Sequence, residues 1–192
     1  SSICIAIMNY DVLIVGTGIA GLYTALNLRD DIRILMITKN TFKDCNSYLA
    51  QGGISTSLGI FDEENYFNDT MKAGNYHNDT KAVKLLIKNS IENINNLVEI
   101  GVPFDKDNDN LKYTREGGHS KFRIVHVKDE TGKYVTETLL NIVSKKNNIT
   151  MLENTKLVDL ICKNNNCYGG VIEHNSVVST VNSKFTILAT GG

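Results

Sequence analysis

The chain is 192 residues long with a formal net charge of −1 and a pI near 6.4, a balance that gives no electrostatic reason to expect nucleic acid or an anionic membrane surface as partner. No run approaches the roughly 20 apolar residues of a membrane span. Four cysteines (Cys4, Cys45, Cys162, Cys167) form no Cys-x-x-Cys pair and four histidines add no zinc spacing, so no metal site is expected.

Residues 1–8 are apolar but too short for a secretory h-region and lack a basic start, so Met8 reads as the natural first residue. Asp11 to Val15 is a short apolar run ending at glycine, the pattern of a buried parallel strand. A helix is expected from Gly18 to Leu28, with Ile19, Leu22, Ala25 and Leu26 on one face, and a second strand from Ile32 to Thr38. Asp62 to Ala73 reads as a helix, as does Asp79 to Ile100, capped by Asp79 and stopped by Gly101-Val102-Pro103. A long loop from Phe104 to about Lys128 precedes a third long helix over Thr131 to Lys145.

From Ile149 the apolar period changes to two. Ile149–Leu152, Lys156–Cys162, Tyr168–Glu173, Val177–Val181 and Lys184–Ala189 read as successive strands, joined by hairpins at Lys163–Asn166 and His174–Asn175. Cys162 and Cys167 flank the first hairpin and could be bridged; reduced thiols in a cytoplasmic protein are the expectation. The abundant asparagine, as in Asn164-Asn165-Asn166, reads as compositional bias. The chain ends on a glycine turn, Thr190-Gly191-Gly192, and is expected to be an amino-terminal fragment.

Two glycine segments carry the chemistry. In Gly16-Thr17-Gly18-Ile19-Ala20-Gly21, Gly16 permits a sharp bend, Gly18 a close backbone approach to a pyrophosphate, and Gly21 tight helix–strand packing. The flanking strand and helix distinguish this motif from an unliganded glycine turn. The acidic residue expected at the end of the second strand is replaced by Thr38-Lys39, which leaves a 2′-phosphorylated nicotinamide nucleotide open as ligand. The second segment, Asn46-Ser47-Tyr48-Leu49-Ala50-Gln51-Gly52-Gly53, offers a side-chain-free Gly52-Gly53 for a flat ring and donors at Ser47 and Gln51. That combination favours a flavin.

These runs, with Asp11–Val15 and Ile54, resemble the flavoprotein group that holds succinate dehydrogenase, fumarate reductase and L-aspartate oxidase. Thr114-Arg115-Glu116-Gly117-Gly118-His119-Ser120, Arg123-Ile124-Val125-His126 and Asp129-Glu130-Thr131-Gly132 resemble the L-aspartate oxidase family in particular. The resemblance implies an α/β, Rossmann-like FAD-binding domain over residues 9–192, with a central parallel sheet and an added antiparallel β-meander. The capping domain and carboxyl-terminal parts would lie beyond the chain, and the fragment alone would not turn over. It implies FAD phosphates on Gly16 to Gly21, with Lys39 in place of the acidic residue, and a flavin lined by Asn46 to Gly53. Lys156-Leu157 would lie at the adenine, and Thr190-Gly191 on the return strand. Membrane-bound relatives attach FAD through a histidine where this chain has Asn46, so the FAD is expected to be non-covalent.

By the same resemblance, aspartate C2 gives a hydride to the flavin, iminoaspartate forms, and electrons pass to oxygen or fumarate; the product feeds quinolinate synthase in NAD biosynthesis. Glu116 is the candidate partner for the α-ammonium that distinguishes aspartate from succinate; an exposed loop glutamate is the plain alternative. Arg115 and Arg123 could meet a substrate carboxylate or tie the loop to acidic neighbours; His119 and His126 could carry protons but, with no evident carboxylate partner, read as structural hydrogen-bonders. The alternatives in function are a soluble fumarate reductase or succinate-oxidising flavoprotein, and a flavin-binding module without redox chemistry.

Overall fold

A computed structural model describes residues 7–191. In chain order it contains strand β1 (Ile7–Val15), helix α1 (Ile19–Asn27), β2 (Ile34–Ile37), a single-turn helix α2 (Asn46–Leu49) and β3 (Ile54–Ser55). A 3-10 turn (Ile60–Asp62) leads into α3 (Glu63–Ala73), followed by α4 (Thr80–Glu99), β4 (Lys106–Asp107), β5 (Asn110–Leu111), β6 (Ile124–Val125) and α5 (Thr131–Val143). Four strands follow: β7 (Ile149–Leu152), β8 (Thr155–Lys163), β9 (Asn166–His174) and β10 (Val177–Leu188). The chain divides into two compact units, one of residues 1–49 and 136–192, the other of residues 50–135.

The first unit is built on a six-stranded sheet in the order β7-β2-β1-β10-β9-β8. β7, β2, β1 and β10 run parallel, while β10, β9 and β8 form the antiparallel meander. All four residues of β2 are buried, which is why it reads as an unbroken apolar run and not as an alternating one. One sheet face gathers Leu13, Val15, Leu35, Ile37, Ile172 and Val181 into a core on which Leu157 and Leu152 pack. On the other face α1 approaches so closely that a Cβ on Gly21 would press on Ile14 and collide with the Gly16 carbonyl.

The meander differs from expectation at one point. Val177–Val181 and Lys184–Ala189 are a single strand that changes partner: Val177–Asn182 pair with β9, and Thr180–Leu188 pair with β1. Polar residues at Asn182 and Ser183 look like a turn in sequence, but pairing to β1 runs straight through them. Both hairpins are two-residue turns with positive φ at each central position, Asn164 (51°) with Asn165 (59°), and Asn175 (48°) with Ser176 (65°). This is the type I′ geometry that suits strand twist and selects asparagine. Part of the asparagine bias is therefore turn chemistry. Cys162 and Cys167 face each other across the first hairpin, both as free thiols.

In the second unit α4 is capped as expected: the Asp79 carboxylate accepts from the N–H groups of Lys81 (2.8 Å) and Ala82 (3.0 Å). Gly101, at φ 100°, closes it in a Schellman arrangement in which Val102 N–H donates to Leu97 O and Gly101 N–H to Val98 O. Val83 and Ile87 meet Tyr66 and Met71 of α3 in a small core. The segment expected as one long loop carries three short strands. β4 and β5 form a hairpin, and β6 pairs antiparallel with β3, Ile54 opposite Val125 and Ser55 opposite Ile124.

Candidate functional site

In the first unit the parallel strands end at a cavity of about 700 Å³. Its lining comes from the glycine turn, from Ile37 to Asn40, from Asp44 to Ser47, from Thr155 to Leu157 and from Leu188 to Gly191. Gly16, Thr17, Gly18, Ala20, Lys39, Asn46, Ser47, Lys156, Leu157, Thr190 and Gly191, all singled out from sequence, stand together on this wall. They converge because β1, β2 and β10 run parallel and deliver their carboxyl ends to one edge of the sheet.

The glycine turn has no room for side chains. Gly16 adopts φ 116°, and a Cβ there would collide with the Ala189 carbonyl. Ile19 and Gly21 do their work behind the cavity wall, in the first turn of α1. The Ile19 N–H donates to the Ser47 hydroxyl (3.0 Å), and the first bond internal to the helix runs from Leu22 N to Gly18 O (3.0 Å). The first-turn N–H groups of Ala20 and Gly21 thus have no intrahelical acceptor. No acidic side chain occupies this turn. Thr17 is 2% exposed, yet its hydroxyl has no hydrogen-bond partner among the described residues. Free N–H groups, a helix amino terminus and an orphaned buried hydroxyl are the donor set an anionic, oxygen-rich ligand requires.

The second glycine segment is shared between the units. Asn46 and Ser47 line the cavity; Tyr48 points its hydroxyl at Glu137 (3.1 Å) and Leu49 is exposed, so neither lines it. Ala50, Gln51, Gly52 and Gly53 belong to the second unit. There Gly53 is bare for a protein reason: a Cβ would strike Ile124 and the Val125 carbonyl of the adjacent strand. A Cβ on Gly52 would lie 3.7 Å from the Glu116 Oε2 and 3.9 Å from Oε1. The exposed Glu116 carboxylate therefore stands directly against the Ala50–Gly53 segment.

The loop that presents Glu116 is held by a buried ionic cluster. Arg123 is fully buried and grips Asp62 through Nε (3.0 Å) and Nη2 (2.6 Å), while its Nη1 reaches Asp69 (2.6 Å). Its guanidinium lies 4.8 Å from the centre of the Tyr66 ring, whose hydroxyl bonds Ser55 Oγ (2.6 Å). Asp69 also accepts from the Ser120 N–H and hydroxyl, both at 2.7 Å. Burial alone would raise the Asp69 carboxyl, but the Ser120 N–H, the Arg123 guanidinium and the Ser120 hydroxyl outweigh it and hold the group at about 2. Arg123 is thus committed to protein carboxylates and is not a substrate-facing cation. His119 turns Nδ1 to Arg123 (3.2 Å), and His126 does have a carboxylate neighbour, Asp105, at 3.0 Å. Arg115 is exposed and stacks on Phe122. Sequence reasoning missed Asp62 and Asp69, and also Asn40 and Asp44 on the cavity wall, because no spacing rule ties them to either motif.

Comparison with known proteins adds three findings. The FAD binding domain family matches residues 11–192. The chain is 52% identical over 183 residues to L-aspartate oxidase of Clostridium acetobutylicum, covering 95% of this chain and 42% of that protein. It is 43% identical to L-aspartate oxidase of Clostridium perfringens, again over 95% of this chain and 42% of the relative. The chain therefore spans about two-fifths of the length of these relatives. In fold it is similar to E. coli quinol fumarate reductase FrdA, with TM-score 0.92, 22% identity, and 97% of this chain and 33% of that one covered. The Mycobacterium smegmatis Sdh1 complex gives TM-score 0.90 at 24% identity, covering 97% of this chain and 35% of that chain.

Proposed function

We propose, from the premise that this chain belongs to the FAD binding domain family, that it is the cofactor-holding part of a protein that oxidises L-aspartate to iminoaspartate. FAD is the cofactor of that family, and the residues present fit it: the Thr17 hydroxyl is buried without a partner among the described residues, the first-turn N–H groups of Ala20 and Gly21 have no intrahelical acceptor, and Thr17 and Ala20 stand at the cavity where the parallel strands end. When bound, FAD supplies a two-electron hydride acceptor. Gly16 to Gly21 would hold the pyrophosphate, Lys39 the ribose side, Lys156-Leu157 the adenine and Thr190-Gly191 the return strand. Asn46 to Gly53 would line the ring. Asn46 carries no nucleophilic imidazole for covalent attachment, so the FAD is held non-covalently.

The observation that carries the choice of substrate is the Glu116 carboxylate set against Gly52. A carboxylate there binds the α-ammonium of aspartate and is left without a partner when succinate enters. At about 4 Å and an effective dielectric near 20 the gross attraction is roughly 4 kcal/mol, part of which desolvation offsets. Oxygen or fumarate would accept the electrons, and the iminoaspartate would be consumed by quinolinate synthase in NAD biosynthesis. A cytoplasmic location suits such a product, and no described helix is long and apolar enough to cross a membrane.

The test is anaerobic addition of aspartate, then succinate, to the complete FAD-loaded protein. Aspartate is expected to bleach the flavin absorbance and succinate to leave it unchanged. Bleaching by succinate alone would overturn the reading in favour of a succinate-oxidising enzyme. No bleaching by either would favour a flavin-binding module without redox chemistry.

A further inference from the structure

Asp69 is not needed to neutralise Arg123, because Asp62 already meets the guanidinium with both oxygens while 1% exposed. A second carboxylate at the same cation is one more negative charge than the pair needs, and its partial burial costs free energy that other hydrogen bonds must offset. What it reaches is informative. One oxygen of Asp69, Oδ2, accepts from Arg123 Nη1, from the Ser120 N–H and from the Ser120 hydroxyl. Two of those three donors belong to the turn that begins at Glu116. In the same turn the His119 N–H donates to the Glu116 carbonyl (3.3 Å). On its other side the loop is fastened by the Thr114–Ile124 bridge.

The Glu116 turn is thus pinned at both ends, by backbone pairing at Thr114 and by a side chain of α3 at Ser120. Gly117 and Gly118 lie between, a stretch of low intrinsic order. Without the Ser120 anchor those residues leave Glu116 free to swing away from Gly52. We infer that Asp69 is the positioning residue for Glu116, and that through this anchor it sets the protein's preference for a dicarboxylate that carries an α-ammonium. This rests on the reading of Glu116 given above and extends it to a residue that touches neither substrate nor cofactor.

The experiment is a double-mutant cycle on the complete FAD-loaded protein, using Glu116→Gln, Asp69→Asn and both together. The dissociation constant for aspartate is read from the concentration dependence of the anaerobic flavin reduction rate, and that for succinate from perturbation of the oxidised flavin spectrum. Backbone hydrogen exchange is followed in the peptide spanning residues 114–121. Asp69→Asn is expected to weaken aspartate about tenfold, to change succinate less than about twofold, and to add little to Glu116→Gln. The Ser120 amide is expected to exchange about tenfold faster while α1 and the β3–β6 pair are unchanged. Ser120→Ala, which removes one donor and leaves Arg123 doubly paired, is expected to shift the same quantities less far; it serves if Asp69→Asn fails to fold. Selective weakening by Glu116→Gln with no effect of Asp69→Asn overturns the positioning role alone. Equal losses for aspartate and succinate in Glu116→Gln overturn the reading of Glu116 itself. Unchanged Ser120 exchange in Asp69→Asn overturns the anchor whichever way Glu116 behaves.

Discussion

The cavity of the first unit and the Glu116 loop of the second are made of different materials. At the glycine turn the cavity wall is backbone: a glycine with φ 116°, a helix amino terminus and the ends of parallel strands, with the Thr17 hydroxyl orphaned among the described residues. The loop is side chain: a carboxylate held in place by a buried arginine and two aspartates from a neighbouring helix and turn. A backbone site tolerates little change in shape because any added atom collides, and it is indifferent to what the ligand's far end looks like. A side-chain site can be retuned by a single substitution.

The sharpest way to break the side-chain half is to remove its cation. Arg123→Met leaves Asp62 buried and unpaired and is expected to destabilise the second unit by about 3–5 kcal/mol, measured by chemical denaturation. Adding Asp62→Asn should recover much of that loss, since the cost lies in the stranded charge. The backbone half breaks by volume: Gly16→Ala, forced into a left-handed φ against the Ala189 carbonyl, is expected to cost about 3 kcal/mol and to abolish FAD retention on purification.

A gentler substitution sharpens the comparison. Thr17→Val keeps the shape and removes only the unpartnered hydroxyl, so stability should hold while FAD affinity, read by flavin fluorescence, falls about tenfold. Unchanged affinity would mean that the hydroxyl faces no ligand. The smallest effect concerns pH. The Asp69 carboxyl stands at about 2 in the fold against an ordinary 3.8, so its contribution is complete above about pH 4 and is lost as pH falls through about 2. Protection of the Ser120 amide should follow that window and disappear from it in Asp69→Asn.

The two halves were also unequally legible in the sequence. Gly16, Gly18 and Gly21 announced themselves because a sharp bend, a close approach and a tight helix crossing are local demands that only glycine meets. Lys156-Leu157 and Thr190-Gly191 were reachable only through family resemblance, since what brings them to the cavity, the Thr155 N–H bond to the Thr38 carbonyl and the pairing of β10 with β1, joins segments far apart in the chain. The division of the meander went astray at Asn182-Ser183, where polar composition suggested a turn and tertiary pairing to β1 prevailed. Arg123 was seen but its partners were not. Asp62 and Asp69 lie 61 and 54 residues away, and nothing in their spacing points to a shared guanidinium. Gly53 was noticed for a plausible reason, a flat ligand, whereas the structure supplies another in the packing of β3 on β6.

The most direct test of the account is a crystal structure of the complete protein with FAD and aspartate bound. The account predicts the FAD pyrophosphate on the Gly16–Gly21 turn and a Glu116 carboxylate oxygen at about 3 Å from the aspartate nitrogen. A Glu116 side chain turned away from a bound aspartate, with the rest of its loop ordered, would contradict it.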